Sequence, residues 1–158
     1  MTGQPRARSA YRRRRRALAA LRPVLTAVLL VVVFYLWPFE RPSGATLVSL
    51  VLGLAALLVL LTWQVRAVAR SPEPRLRAVE ALATSISLFV VLFAGFYAGL
   101  SEYDPDAFTV SLTRTDALYF TVTTMATVGF GDITALTEPA RVAVTVQMVA
   151  GLVLLGAG

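Results

Sequence analysis

The sequence predicts an all-α membrane protein with four transmembrane helices. A short re-entrant helix and an extended segment are expected between the third and the fourth. Three observations lead there. The chain of 158 residues is 57% hydrophobic and 15% charged, against about 45–50% and about 25% in ordinary soluble domains. Its mean hydropathy is +0.71, and a soluble sphere of this size has no interior for so much apolar side chain. The apolar residues also fall in long runs separated by short polar or charged connections. A soluble enzyme, a disordered tail and a collagen-like fibre do not fit this composition.

Charge and missing residue types narrow the chemistry. The net charge is +6, from 15 basic and 9 acidic residues, and every basic residue is Arg. Cys is absent, which removes disulfides, thiolate metal sites and cysteine nucleophiles. His is absent as well, which removes imidazole acid–base catalysis. No nucleophile–base pair stands out, so the chain is not expected to be an enzyme.

Residues 1–16 form a basic, polar arm with Arg6, Arg8 and the unbroken run Arg12 to Arg16. Such a block suits nucleic acid in principle. Its place directly before an apolar segment makes it a cytoplasmic topology anchor against anionic lipid headgroups instead, with no nucleic-acid partner. Residues 17–77 read as two peripheral transmembrane helices and a cytoplasmic loop. The first apolar segment runs from Leu21 to Phe39. Arg22 snorkels to the headgroups, and Tyr35 and Trp37 suit the far interface. Trp37-Pro38-Phe39-Glu40 is no small-residue cleavage site, so an uncleaved helix is expected rather than a signal peptide.

The second segment, Ala45 to Val65, has no charged residue. Arg66 and Arg70 close it, and the helix-breaking Ser71-Pro72-Glu73-Pro74 follows. The third segment runs from Val79 to Leu100 and the fourth from Pro139 to Gly158. Arginines lie before the first span and in the loop between the second and third, whereas the stretch after the third is acidic. The positive-inside rule then places both termini and the 66–77 loop in the cytoplasm and residues 101–138 outside. A multi-pass plasma-membrane location is expected.

The 101–138 stretch holds the segment of chemical interest. Thr113 with Asp116 three residues later is a variant of the capping box, and Ala117 to Met125 continues a helix too short to span. Thr127-Val128-Gly129-Phe130-Gly131-Asp132 follows. Glycines at alternate positions allow φ > 0 there. Alternating conformations turn successive carbonyls to one side, where a ring of such strands replaces an ion's hydration shell. Irregular backbone at membrane depth is tolerated only when it lines a cavity or is buried in protein. One strand makes no ring, so the chain is expected to oligomerise.

Thr124-Met125-Ala126-Thr127-Val128-Gly129-Phe130-Gly131-Asp132 resembles the potassium-channel signature T-x-x-T-V-G-Y/F-G-D. The resemblance covers residues 78–158 as a pore domain of outer helix, pore helix, selectivity filter and inner helix. It implies a homotetramer around one pore, with K+ as the permeant ion and no cofactor. By that resemblance, carbonyls of Thr127, Val128, Gly129 and Phe130 form the ion sites and the Thr127 hydroxyl completes the innermost. Gly131 and Asp132 shape the mouth, and Thr123, Thr124 and Asp132 support the filter. Gly151, within a stretch similar to simple bacterial inner helices, matches a gating hinge.

The pattern also departs from the family. Phe130 replaces the commoner Tyr, Thr123 stands where some relatives carry Glu, and Tyr119-Phe120 replaces a Trp pair. No voltage-sensing row of arginines is present in the first two segments. The competing functions are a non-selective cation channel on the same scaffold, a four-repeat transporter and a non-conducting scaffold subunit. Phe130 argues against the first, because the non-selective relatives often carry Asp there. The single repeat argues against the second.

The topology gives a test. Cysteines introduced singly at Ser71 and Asp104 react with an impermeant thiol reagent from opposite sides of the membrane. Labelling of both from one side contradicts the four-span arrangement.

Overall fold

The computed structural model describes residues 25–36, residues 74–156, and between them helical positions 48, 52, 53, 55, 56, 59, 60, 62, 63 and 66 with Arg70. The basic arm 1–16, most of the second apolar segment and the last two residues lie outside the described residues. Four helices organise what is described. They are α1 (Leu25–Leu36), α2 (Pro74–Tyr103), α3 (Arg114–Met125) and α4 (Glu138–Gly156). Two of them contain stretches long and apolar enough to cross a membrane, Arg77–Tyr103 and Glu138–Gly156. The described part of the first apolar segment, Leu25–Leu36, is shorter than a span.

Helix α2 starts earlier than the charge pattern suggested. Pro74 opens it, because a first-turn proline lacks only an N–H that would be unpaired anyway. Arg77, expected in the cytoplasmic loop, is therefore helical and pairs with Glu80 at 3.7 Å, one turn on. At the far end the Asp104 amide donates to the Leu100 carbonyl at 2.8 Å, and Asp104 in turn accepts from the Ala107 amide at 3.0 Å. The turn-forming acidic stretch thus stops the helix.

Helix α3 begins where the capping signal lies. The Thr113 hydroxyl accepts from the Asp116 amide at 3.2 Å, and the Asp116 carboxylate accepts from the Thr113 amide at 3.0 Å. Two orphan donors are thereby satisfied reciprocally. The helix is 12 residues long, on the order of 18 Å at 1.5 Å per residue.

The core lies where α2, α3 and α4 meet. Phe89, Phe93 and Tyr97 recur every four residues on α2, so they share one face. All three are buried, as are Phe120 on α3 and Phe108 on the loop between these helices. Tyr97, Phe108 and Phe120 form an edge-to-face triangle with centroids 5.2–5.7 Å apart, the geometry the ring quadrupoles favour. Ala117, Ala140 and Ala143 are buried beside them, and their small side chains let the helices approach closely.

Several contacts join the N-terminal region to this unit. Arg114, at the start of α3, donates to the carbonyls of Phe34 and Tyr35 at the end of α1. A cation there complements the negative end of the α1 dipole. The Tyr35 hydroxyl lies 3.0 Å from the Thr115 hydroxyl. Farther along, Gly53 stands close to α2: a Cβ there would lie 2.3 Å from the tip of the Leu92 side chain, which would have to shift.

Candidate ion-conduction site

The segment from Ala126 to Asp132 leaves the C-terminus of α3 and is exposed throughout in the single chain. The backbone hand alternates along it. Thr127, Gly129 and Gly131 have φ of 58°, 52° and 79°, while Val128 and Phe130 are not in the positive-φ region. The two glycines meet this at no steric cost. Thr127 does not: a β-branched side chain in the left-handed region costs about 1–2 kcal/mol. Strain of that kind points to a function for the conformation.

Hydrogen bonds explain what holds the segment. Successive residues of alternating hand align their N–H groups on one side of the chain, and their carbonyls on the other. The N–H side faces α3. The Thr127 amide donates to the Thr124 carbonyl at 3.1 Å, and the Val128 and Gly129 amides both donate to the Thr123 carbonyl, at 3.0 and 3.3 Å. The carbonyls left over at the end of α3 thus find their partners in the segment that follows. Among the described residues the carbonyls of Thr127, Val128, Gly129, Phe130 and Gly131 accept no hydrogen bond.

The outer end is tied down separately. The Thr109 amide donates to the Thr134 carbonyl at 3.0 Å, and the Leu136 amide donates to the Ala107 carbonyl at 2.8 Å, around an isolated bridge between Phe108 and Ala135. The Thr109 hydroxyl accepts from the Thr134 amide at 3.0 Å and reaches the Asp132 carbonyl at 3.5 Å. Residues 127–132 are thus suspended between α3 and this clamp.

The side chains behind the segment differ from what sequence suggested. Tyr119 lies flat on Phe130, with centroids 6.3 Å apart and an interplanar angle of 3°. The Asp132 carboxylate near its hydroxyl, then desolvation, hold the Tyr119 phenol above its ordinary pKa. Thr123 and Thr124 touch the segment through their backbone carbonyls. The Thr123 hydroxyl returns to its own helix, donating to the Phe120 carbonyl at 3.1 Å. Gly151 is buried in α4, where an added Cβ would lie 3.9 Å from Phe89 and 4.0 Å from Met125.

Three residues of this region escaped sequence reasoning: Tyr97, Thr121 and Gln147, which form a buried hydrogen-bonded set between α2, α3 and α4. The available signal was Gln147 itself, a polar side chain inside an otherwise apolar helix.

Residues 84–157 match a family model described as an ion channel. The match takes in most of α2, all of α3 and α4 and the segment between them, and leaves α1 outside. It supports ion-channel activity and a non-enzymatic role, and with the two long apolar helices it supports a membrane protein. No curated protein and no solved structure matches the chain.

The Tyr119–Asp132 pair gives a test with a definite sign. The Asp132 carboxylate holds the Tyr119 phenol above its ordinary pKa. In Asp132→Asn the phenol should therefore ionise at lower pH than in the parent, followed by phenolate absorbance with Tyr119→Phe as the blank. The effect is modest because the pair is exposed in each protomer. An unchanged titration in Asp132→Asn contradicts the pairing.

Proposed function

We propose that four copies of the chain surround one pore and form a potassium-selective channel in the plasma membrane. The observation that carries this reading is the backbone from Thr127 to Gly131. Its hand alternates, its first three amides are bound to α3, and its carbonyls are without partners. Four such strands facing one axis would offer rings of carbonyl oxygen from Thr127, Val128, Gly129 and Phe130 in place of water around K+, with the Thr127 hydroxyl at the inner end. Gly131 and Asp132 would form the outer mouth. K+ is the transported ion and no cofactor is required.

Assembly follows from the same surfaces. A single chain leaves Val128 53% and Phe130 70% exposed, and Val122 of α3 and Val142 of α4 are half-exposed. Exposed apolar side chains of this kind suit an interface between copies. The pore helix α3 would aim its negative dipole end at the ion path. Both termini face the cytoplasm in this reading, with the arginine arm on anionic headgroups and the first two apolar segments spanning outside the pore. Phe130 favours potassium over the non-selective alternative.

Reversal potentials under mixed potassium and sodium gradients test the filter. Gly129→Ala places a Cβ at φ 52°, at about 1–2 kcal/mol in every subunit. No neighbouring atom lies within 4 Å of that Cβ in the protomer, so the backbone conformation alone decides the outcome. Potassium conduction should be lost while membrane insertion is kept. Phe130→Asp should keep conduction and begin to pass sodium. A Gly129→Ala channel that behaves like the parent contradicts the filter assignment.

A further inference from the structure

The proposed filter does not account for Gln147. This side chain is fully buried in α4, and both ends of its amide are used. The Tyr97 hydroxyl of α2 donates to Gln147 Oε1 at 2.6 Å, and Gln147 Nε2 donates to the Thr121 carbonyl of α3 at 2.9 Å. Tyr97 and Thr121 are buried as well, and the Thr121 hydroxyl donates to the Ala117 carbonyl at 2.8 Å. One amide therefore fastens three helices where apolar packing alone would allow them to slide. A fully satisfied network of this kind specifies one arrangement, because any displacement strands a buried polar group.

Its position gives it a consequence. The Thr121 carbonyl lies two residues before the Thr123 carbonyl, which receives the Val128 and Gly129 amides. The path from α4 to the proposed filter is thus Gln147, the α3 backbone, and the filter amides. Gly151 lies one helical turn beyond Gln147 on the same face of α4. We infer that Gln147 is a positioning residue: it clamps the outer half of α4 to α3, fixes the filter backbone through Thr123, and confines bending of α4 to Gly151 and beyond. This rests on the proposed function only for its effect on conduction; the effect on the filter amides is independent of it.

Gln147→Glu provides the discriminating experiment. A neutral carboxylic acid replaces both bonds, its C=O accepting from Tyr97 and its O–H donating to the Thr121 carbonyl. The carboxylate cannot donate and faces that carbonyl with negative charge. Tyr97 is the titratable side chain bonded to this position. Phe89, Phe93 and Phe120 of the surrounding helices, and Ala143, Val144 and Met148 of α4, carry no charge. Single-channel open probability and amide exchange at Val128 and Gly129 would be measured across pH for parent, Gln147→Leu and Gln147→Glu.

Gln147→Leu is expected to lower open probability about tenfold relative to parent at every pH, as loss of a buried hydrogen bond implies, and to speed exchange at Val128 and Gly129. Gln147→Glu should match the parent at low pH and fall to the Gln147→Leu level as the carboxyl ionises. Should Gln147→Leu fail to fold, the pH response of Gln147→Glu decides. Should the parent not conduct, the proposed function fails, and exchange at Val128 and Gly129 still decides this inference. Exchange unchanged in Gln147→Leu, or a Gln147→Glu protein indifferent to pH, overturns it.

Discussion

Inside a bilayer a backbone carbonyl without a partner is costly, and this chain carries five in succession, from Thr127 to Gly131. That constraint organises the rest of the structure. Hydrocarbon cannot satisfy such groups, and irregular backbone survives at membrane depth only against protein or in a cavity. The protomer leaves the segment exposed. Under the proposed function the missing partners are an ion and three further copies of the chain. The strained φ of Thr127 belongs to the same arrangement, since a relaxed threonine would break the alternation.

The helices and the loop before α3 hold that segment at both ends. A capping box fixes the start of α3, and the carbonyls at its end fix the amides of Thr127, Val128 and Gly129. The Thr109–Thr134 clamp fixes the other end. Behind them stands an aromatic core in which Phe108, Phe120 and Tyr97 meet edge to face. Aromatic side chains suit this role because they fill volume rigidly, and close packing transmits displacement rather than absorbing it. Arg114 extends the connection to α1, outside the part of the chain that matches the ion-channel family.

Local signals in the sequence were sufficient for local structure. Thr113 and Asp116 are three residues apart and make the expected cap; the alternate glycines have the expected positive φ; the third and fourth apolar segments form long helices. Where tertiary contacts decide, sequence was silent. Pro74 reads as a breaker yet opens α2, because proline both ends and begins helices. Thr123 drew attention for its side chain, but its carbonyl makes the contacts. Tyr119 reaches Phe130 and Asp132 across a turn that no periodicity describes. The positive φ of Thr127 was not legible either, since threonine carries no conformational signature of that kind. The second apolar segment remains an expectation of hydropathy, being largely outside the described residues, and the described part of the first, Leu25–Leu36, is shorter than a span.

The central claim is that carbonyls of this backbone replace the water around a dehydrated potassium ion. Ion flux from proteoliposomes containing the purified, unmodified chain tests it most directly, with potassium and sodium gradients compared at equal protein density. The account predicts potassium flux well above protein-free vesicles and sodium flux near that background. Equal passage of both ions, or no potassium flux from correctly inserted tetramers, would contradict it.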